Sequence, residues 1–532
     1  MVPLIPRILF GMIGLGLVTC AAACGGCRSA SNPKGPNVPG PPTARLYLVS
    51  DLAGALEPCG CTKDQLGGLD HAGAWIASER TKAPAAAFVT AGPLFFMDPT
   101  LKPDHAAQDK AKAETLAAAL KKLDFAAFAP AKNDWAAGAE ELARLRDLSG
   151  AALVFANASS SAGAVPLFVR DLGGLKVAFL GVSAPGVAGV EEKPAISEVK
   201  AAVAGAKGQG AKVFVLLASV GRGEAKRIAD GVPELTAILV GSTGGSGDAN
   251  TQAPPPERIG NVIIAETGNH LQTVAVLDLY VRDGGTSFAD ATGLELGRKR
   301  EELSRRIDEL HIKIANWEKD GKIQKVDLDA RRADLAKLET ERAELDVPKP
   351  PDTGSFFRYT VKEIREALGS EPKLREDLLA YYKKVNDANK VAFADKKPRP
   401  HTGTEPVYVG IAACASCHEE PKTVWDRTKH AHAYETLSKQ YKEFNLDCVS
   451  CHVTGYDQPG GSTVTHVDRL KDVQCEVCHG PGSRHVMNPD KFKIPVPKPQ
   501  PDMCLACHHS PHVEQFDAKA KMEDILGPGH GK

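Results

Sequence analysis

The C-terminal part of the chain contains four copies of one motif: Cys414-Ala-Ser-Cys417-His418, Cys448-Val-Ser-Cys451-His452, Cys475-Glu-Val-Cys478-His479 and Cys504-Leu-Ala-Cys507-His508. Two cysteines three positions apart lie about one helical turn apart, so both thiols can bond the edge of one porphyrin. The histidine that follows then binds the haem iron. Structural zinc sites and thioredoxin-like redox pairs share the cysteine spacing but do not need that histidine. We therefore predict four covalently bound haem c groups.

Composition limits the number of domains, the classes of partner and the number of disulfides. The chain has 532 residues, 43% of them hydrophobic, which is enough for at least two domains with their own cores. A formal net charge of -1 gives no reason to expect nucleic-acid binding. Of the 13 cysteines, eight belong to the four motifs, and the others are Cys20, Cys24, Cys27, Cys59 and Cys61. Few are therefore left for a disulfide framework.

The N-terminus reads as an export signal. Arg7 is followed by an apolar run from 8 to 18, which is too short to span a membrane. Cys20 and Cys24 both follow this run, and either is a candidate for lipidation in a bacterial lipoprotein; an ordinary secretory signal is the alternative. We expect a signal over 1–24, a flexible Pro- and Gly-rich tether over 25–43, and a lipid-anchored protein of the periplasm or cell envelope.

Residues 44–285 are predicted to form a layered α/β domain with at least one mixed sheet. Short apolar, β-branched runs alternate with Ala-, Lys- and Glu-rich helical stretches such as 106–123 and 139–148. The predicted strands are 46–50, 87–90, 153–157, 177–182, 213–218, 237–240, 262–265 and 274–280.

The opening of this domain resembles the 5′-nucleotidase-like branch of the calcineurin-type metallophosphoesterases. The resemblance rests on a strand ending in Ser50-Asp51-Leu52-Ala53-Gly54, on the later Gly67-Gly68-Leu69, and on matching segments at 89–92, 154–157, 216–219 and 239–243. It implies layers in the order αββα and a two-metal site of Asp, His and Asn ligands.

Most of those ligands are missing from this sequence. Asp51 is in place, but Ala53 and Pro93 stand where the family has a histidine and the bridging aspartate, and Asn133 is out of register. Val220, Ser242 and Gly244 replace three further histidines, and none of these side chains can supply the imidazole nitrogen that is lost. We therefore expect the domain to be catalytically inactive.

Three features outside these two segments complete the sequence. Cys59 and Cys61 could bind a metal or form a redox bond, but two partly buried thiols or a strained local disulfide are equally open readings. Residues 286–350 show heptad-like leucine spacing interrupted at Asp320-Gly321-Lys322, which predicts a helical coiled-coil hairpin. Residues 351–405 are predicted to be a connecting helix, covering 361–394, followed by a hinge.

Residues 406–532 resemble the tetrahaem cytochrome c family that takes electrons from hydroxylamine oxidoreductase. The resemblance rests on 424–437, which includes Lys429-His430-Ala431-His432, and on 473–485, which ends in Ser483-Arg484-His485. It implies that most irons carry two histidines and that one is five-coordinate. Carried over by position, His430 and His485 are the best second ligands; the other candidates are His432, His466, His509, His512 and His530.

The sequence therefore predicts an exported multihaem cytochrome that exchanges electrons with redox proteins of the cell envelope. The phosphoesterase-like domain would then be a scaffold. A haem enzyme that acts on a small nitrogen or sulfur compound is the alternative, and an active phosphohydrolase is a third reading that the missing ligands disfavour.

Overall fold

The structure is a computed structural model that describes residues 40–58, 65–158, 162–247, 249–319, 323–345, 349–509, 512–513 and 516–530. The predicted export signal, its cysteines, and Cys59 and Cys61 lie outside these residues. None of the helices within the described ranges has the length and hydropathy of a membrane span.

Within those ranges the strands are β1 (Ala44–Ser50), β2 (Ala86–Ala91), β3 (Phe125–Ala129), β4 (Ala152–Leu153), β5 (Leu167–Leu172), β6 (Leu175–Ser183), β7 (Val213–Ser219), β8 (Ala237–Gly241), β9 (Glu257–Ile259), β10 (Val262–Ala265), β11 (Thr273–Tyr280), β12 (Ala289–Asp290) and β13 (Phe356–Glu363). The α-helices of the same part are α1 (Leu69–Arg80), α2 (Ala106–Lys122), α3 (Ala139–Ser149), α4 (Ala195–Gly208), α5 (Arg222–Gly231), α6 (Leu294–Lys319), α7 (Lys325–Glu344) and α8 (Pro372–Ala392).

Two sheets pack face to face. The first has the order β12-β13-β11-β1-β2-β3-β4 and the second the order β5-β6-β7-β8-β10-β9. Their facing sides bury apolar side chains such as Leu48, Val89, Leu217 and Leu239 in one shared core. Helices α1, α2, α3 and α8 cover the outer face of the first sheet, and α4 and α5 cover that of the second. The two sheets and their outer helices form αββα layers, so the layered α/β domain predicted from the alternating pattern and the layer order implied by the resemblance are both confirmed.

The first sheet extends past the hairpin region. Strand β13 pairs antiparallel with β11 along its whole length, from Thr273 opposite Glu363 to Tyr280 opposite Phe356. The sheet thus includes a strand beyond residue 285, and helices α6 and α7 lie between two of its strands in the sequence. The prediction of helix from 361 is wrong at its start, because this strand runs to Glu363 and α8 begins only at Pro372.

Helices α6 and α7 pack against each other through Leu303, Ile307 and Leu338, with Leu310 and Leu335 beside them. The leucine spacing therefore identified the contacting faces. A supercoil along this seam stays a prediction.

The last segment has little regular structure. Its α-helices are short: α9 (Ile411–Ala415), α10 (Glu419–Trp425), α11 (Ala433–Ser438), α12 (Cys475–His479), α13 (Ser483–Met487) and α14 (Ala518–Glu523). One small apolar cluster, formed by Tyr434, Leu446, Val449, Val453, Val464 and Val467, is buried here. Because Pro41–Lys532 forms one compact unit, this segment packs directly on the two-sheet domain.

Candidate haem sites and the strand-end site

Local backbone geometry presents each motif as a short turn. Helix α12 contains the third motif from Cys475 to His479 and ends at Gly480, whose φ of 79° favours glycine. In the first and fourth motifs the histidine N–H donates to the first cysteine's carbonyl, at 3.0 Å in His418 and 2.9 Å in His508. Both cysteines and the histidine thus lie on one turn, as covalent haem attachment requires.

Three of the motif histidines face another histidine. The ring centres are 6.4 Å apart between His418 and His485, and 6.2 Å apart between His430 and His508. In the third pair they are 6.5 Å apart, between His479 and His530. A metal–imidazole bond is about 2 Å long and the ring centre lies roughly 1 Å behind the nitrogen, so two imidazoles on one metal have centres roughly 6 Å apart. All three gaps fit one iron between two imidazoles.

Hydrogen bonds from the ring edges orient these histidines. The Nδ1 atom of His485 lies 2.8 Å from the carbonyl oxygen of Phe492, and that of His479 lies 2.9 Å from the carbonyl oxygen of Val496. His452 has the same arrangement, with its Nδ1 2.6 Å from the carbonyl oxygen of Ala433. An Nδ1–H that donates to a carbonyl leaves the lone pair on Nε2, which is the tautomer that a metal needs.

Burial favours the neutral form of several of these rings. Burial lowers the pKa of His430, His452, His508 and His530, and for His430 and His530 neighbouring imidazoles lower it further. A neutral imidazole is the form that binds iron. The second motif differs in one respect: none of the other described histidines makes a ring contact with His452.

The remaining predicted ligands lie elsewhere. His432 lines a cavity of about 580 Å³ together with Tyr434, Glu443 and Asp472. The Nδ1 of His466 lies 3.2 Å from the hydroxyl of Thr465, and the ring of His512 contacts that of His509. None of these three faces a motif histidine in the described part of the chain.

The motifs are also adjacent in pairs. Cys414 of the first motif is a neighbour of Cys475 of the third, and Cys451 of the second motif is a neighbour of Cys507 of the fourth.

Glu476, which the sequence analysis did not single out, joins the first and third motifs. Its carboxylate is 2% exposed and accepts backbone N–H groups from Val409 (3.0 Å), Gly410 (2.7 Å) and Gly482 (2.7 Å). A buried carboxylate with several backbone donors is a stable anchor. The only hint in the sequence is its place inside the third motif.

The strand ends of the two-sheet domain show a different arrangement. Asp51 follows β1, and its Oδ1 accepts the N–H of Ser242 at 2.9 Å. Burial raises the pKa of Asp51 to about 6. A Cβ on Gly92 would lie 1.7 Å from the same oxygen, so only glycine fits beside this carboxylate.

Asn133 is the second possible ligand at this site. Both the oxygen and the nitrogen of its side-chain amide form hydrogen bonds with backbone groups. Its Oδ1 accepts the N–H of Gly245 at 2.9 Å, and its Nδ2 donates to the carbonyls of Gly245 and Met97. Among the residues described, His105, Asp109 and Asp447 are the only group with the spacing of three metal ligands, and Asp51 is not one of them. The Lys112 ammonium lies 3.3 Å from Asp447 in that group.

Comparison with known proteins supports both parts of this description. Residues 413–480, which contain the first three motifs, match the family described as cytochrome c554 and c-prime. Cytochrome c-554 of Nitrosomonas europaea is 37% identical over 92 residues, an alignment that covers 14% of this chain and 39% of that protein. The chain therefore spans well under two thirds of the curated relative that it matches.

Solved structures similar to part of this chain include a nucleotidase precursor, a thiohydrolase and a phosphoesterase. A 5′-nucleotidase precursor of Thermus thermophilus has a TM-score of 0.44 and 16% identity over 64% of this chain and 59% of its own. The sulfate thiohydrolase SoxB of Thermus thermophilus, solved with glycerol, has a TM-score of 0.38 and 16% identity over 47% of this chain and 56% of its own. The calcineurin-like phosphoesterase YfkN of Bacillus subtilis has a TM-score of 0.38 and 16% identity over 46% of this chain and 86% of its own.

Residues 413–480, which contain three of the motifs, are therefore similar to the cytochrome c554 and c-prime family, and covalently bound haem c is the cofactor that this similarity implies. In the same compact unit they are joined to a domain of two packed sheets.

Proposed function

We propose that this chain is an exported tetrahaem cytochrome c that transfers electrons between redox proteins of the cell envelope. The observation that carries the proposal is the spacing of the three histidine pairs, each of which joins one motif histidine to a histidine from another part of the chain. Haem supplies one-electron chemistry at iron, and iron with two imidazole ligands has no free position for a substrate. Such sites favour electron transfer over catalysis.

The protein's own residues hold and orient the haems. Phe492, Val496 and Ala433 supply the carbonyls that set the histidine tautomers, and Glu476 fixes the first motif beside the third. Because the cysteines of the first and third motifs are neighbours, as are those of the second and fourth, the haems that they would hold would belong to two neighbouring pairs. Export, with a lipid anchor at Cys20 or Cys24, belongs to this proposal because c-type haem is attached outside the cytoplasm.

Two measurements test the proposal. The intact mass of the purified protein should exceed that of the processed polypeptide by four haem groups. The reduced protein should show mainly low-spin haem, with carbon monoxide binding to no more than one iron. A smaller mass increment, or carbon monoxide binding at several irons, would contradict the assignment.

A second candidate function follows from His452. Since no described histidine makes a ring contact with it, the second haem could have an open position and convert a small nitrogen or sulfur compound. Turnover of such a compound by the holoprotein, lost when carbon monoxide occupies one iron, would favour this enzyme over a pure electron carrier.

We also propose that the two-sheet domain is inactive as a phosphohydrolase. A two-metal site needs several Asp, His and Asn donors, whereas Asp51 and Asn133 already accept backbone N–H groups, and Asp51 belongs to no group of three His, Cys, Asp or Glu ligands among the described residues. Its role would be that of a scaffold.

A buried polar network supports the scaffold role. On α2, Gln108 accepts the N–H of Leu446 at 3.0 Å and bonds the side chain of Asn445 at 3.3 Å. On α8, Asn389 donates to Gln108 and to the carbonyl of Phe444, both at 2.9 Å. Gln108 and Asn445 are each 2% exposed. The contacted residues 444–446 lie shortly before Cys448, the first cysteine of the second motif.

Charge pairs extend the same contact. The carboxylate of Glu57 pairs with Lys442 at 2.8 Å and with Arg375 on α8. Burial alone would raise the pKa of Glu57, but Lys442 and Arg375 hold it below its usual value. The ammonium of Lys442 also lies 4.1 Å from the centre of the Tyr382 ring. The two-sheet domain thus holds residues 442–447 and, through them, the second haem motif.

A further inference from the structure

The segment 490–498, called the strap below, contacts two histidines that are expected to bind haem iron. Its Phe492 and Val496 supply the carbonyls that bond His485 and His479, which belong to the first and third histidine pairs. The backbone contact is reciprocal at one point, because the N–H of Val496 donates to the carbonyl of His479 at 3.0 Å. A partner protein bound to the strap would therefore be separated from the expected ligands of two haems by the strap alone.

The strap carries an excess of positive charge. Lys491, Lys493 and Lys498 are all exposed, against one carboxylate, Asp490. Within the described part of the chain, none of the three lysines takes part in an ion pair. Since the whole chain has a formal net charge of -1, this excess is local.

Two further features distinguish the strap from an ordinary charged loop. The guanidinium of Arg484 lies 4.3 Å from the ring centre of Phe492, so a fourth cation borders the strap. Val486 and Met487, in the same helix as His485, are 46% and 79% exposed. Methionine and arginine are enriched in protein interfaces, and transient redox interfaces are small.

We propose that the strap, with Arg484, Val486 and Met487, is the docking surface for an acidic redox protein. The inference rests on the proposed electron-transfer function and adds the partner's charge and the entry point. One electron passes between the partner's redox centre and the first or third haem, which is oxidised or reduced by one equivalent. The lysines attract the carboxylates of the partner and speed encounter, while Val486 and Met487 provide the apolar contact.

The test compares two electron acceptors of the same fold and opposite charge: native mitochondrial cytochrome c, which is basic, and its succinylated form, which is acidic. The reduced holoprotein is mixed with each in a stopped-flow instrument at low and at high ionic strength. At low ionic strength the acidic acceptor should be reduced about tenfold faster than the basic one, and salt should remove most of the difference.

Charge-reversed variants test whether the strap lysines cause the preference for the acidic acceptor. The variant Lys491→Glu/Lys493→Glu/Lys498→Glu should invert the preference, whereas Lys193→Glu/Lys200→Glu/Lys212→Glu changes the net charge equally at exposed lysines of the two-sheet domain and should preserve it. The neutral set Lys491→Gln/Lys493→Gln/Lys498→Gln, whose Soret spectrum reports intact haem ligation, should abolish the preference without inverting it.

Two results would overturn the proposal: equal effects of both charge-reversed variants, or rates that do not depend on the charge of the acceptor. Failure of the underlying function gives a different result. In that case neither acceptor would be reduced at any ionic strength, although dithionite had reduced the haems.

Discussion

Replacing Gln108 with leucine tests whether the two-sheet domain braces the second haem motif. The side chain of Gln108 makes three hydrogen bonds in a site where it is 2% exposed. Two of its partners keep another bond, since Asn389 still donates to Phe444 and Asn445 still accepts the N–H of Asp447. The buried N–H of Leu446 is the one group left with no partner at all, whereas the Asn389 amide nitrogen loses one of its two acceptors.

The expected loss of stability follows from the one N–H group that is left with no partner. A buried donor without a partner costs about 1–3 kcal/mol, so we expect the free energy of unfolding to fall by about 2 kcal/mol. Lys112→Gln on the same helix is the matched control. It removes a partly exposed ion pair with Asp447, and such pairs contribute at most about 1 kcal/mol.

Urea unfolding of the holoprotein provides the assay. The Soret band reports loss of haem ligation, and far-UV circular dichroism reports loss of the helices and sheets. If the domains unfold as one unit, the two transitions coincide and Gln108→Leu shifts both to lower urea. A change below about 0.5 kcal/mol, or a shift in the circular dichroism transition alone, would refute the bracing role.

Further predictions concern haem ligands, pH and phosphate chemistry. His485→Met should convert one low-spin haem to a different spectral type, and His530→Ala should let one more iron bind carbon monoxide; His466→Ala, measured alongside, should leave both signals unchanged. Burial, then the charge of Asp447, raises the pKa of Asp109 to about 6. Because this lies above the unfolded value near 4, ionisation of Asp109 opposes folding as pH rises from about 4 to about 6. Asp109→Asn should therefore be more stable than wild type at pH 8, with the gain disappearing below about pH 4; an equal gain at both pH values would exclude this cause. The protein should hydrolyse no nucleotide or aryl phosphate with manganese, zinc or iron, whereas metal-dependent turnover abolished by Asp51→Ala would establish an active phosphoesterase.

The strands of the two-sheet domain could be predicted because their burial is local and continuous. Runs such as Val177 to Val182 and Val213 to Ala218 are apolar at successive positions, as strands buried on both faces require. Strand β13 was missed for the opposite reason: it follows a long helical insertion, and its residues Thr360 to Glu363 are largely exposed and polar. Its place depends on pairing with β11, about 80 residues earlier in the chain, which no local pattern encodes.

The haem sites show the same contrast between local sequence patterns and long-range contacts. The cysteines and adjacent histidines are local, so their spacing alone predicts them. The second histidines come from distant parts of the chain: His430 faces His508, and His485 faces His418 on the other side of two motifs. The resemblance named His430 and His485 but gave no pairing. His530 was one candidate among several, because only the fold brings the C-terminus to His479.

The contrast between the two domains explains why they occur in one compact unit. The two-sheet domain buries three apolar clusters, and its Asp51 and Asn133 side chains accept backbone N–H groups. The haem segment buries one small apolar cluster and has only short helices. Small apolar cores usually need covalent cross-links or cofactors for stability, and here the haems supply both. Cofactors alone, however, do not fix the segment that precedes the second motif, where amides from α2 and α8 bond the backbone of 444–446. The proposed scaffold role therefore gives the two-sheet domain a function that needs no metal site, because its outer helices hold the one motif whose histidine faces no other imidazole among the residues described.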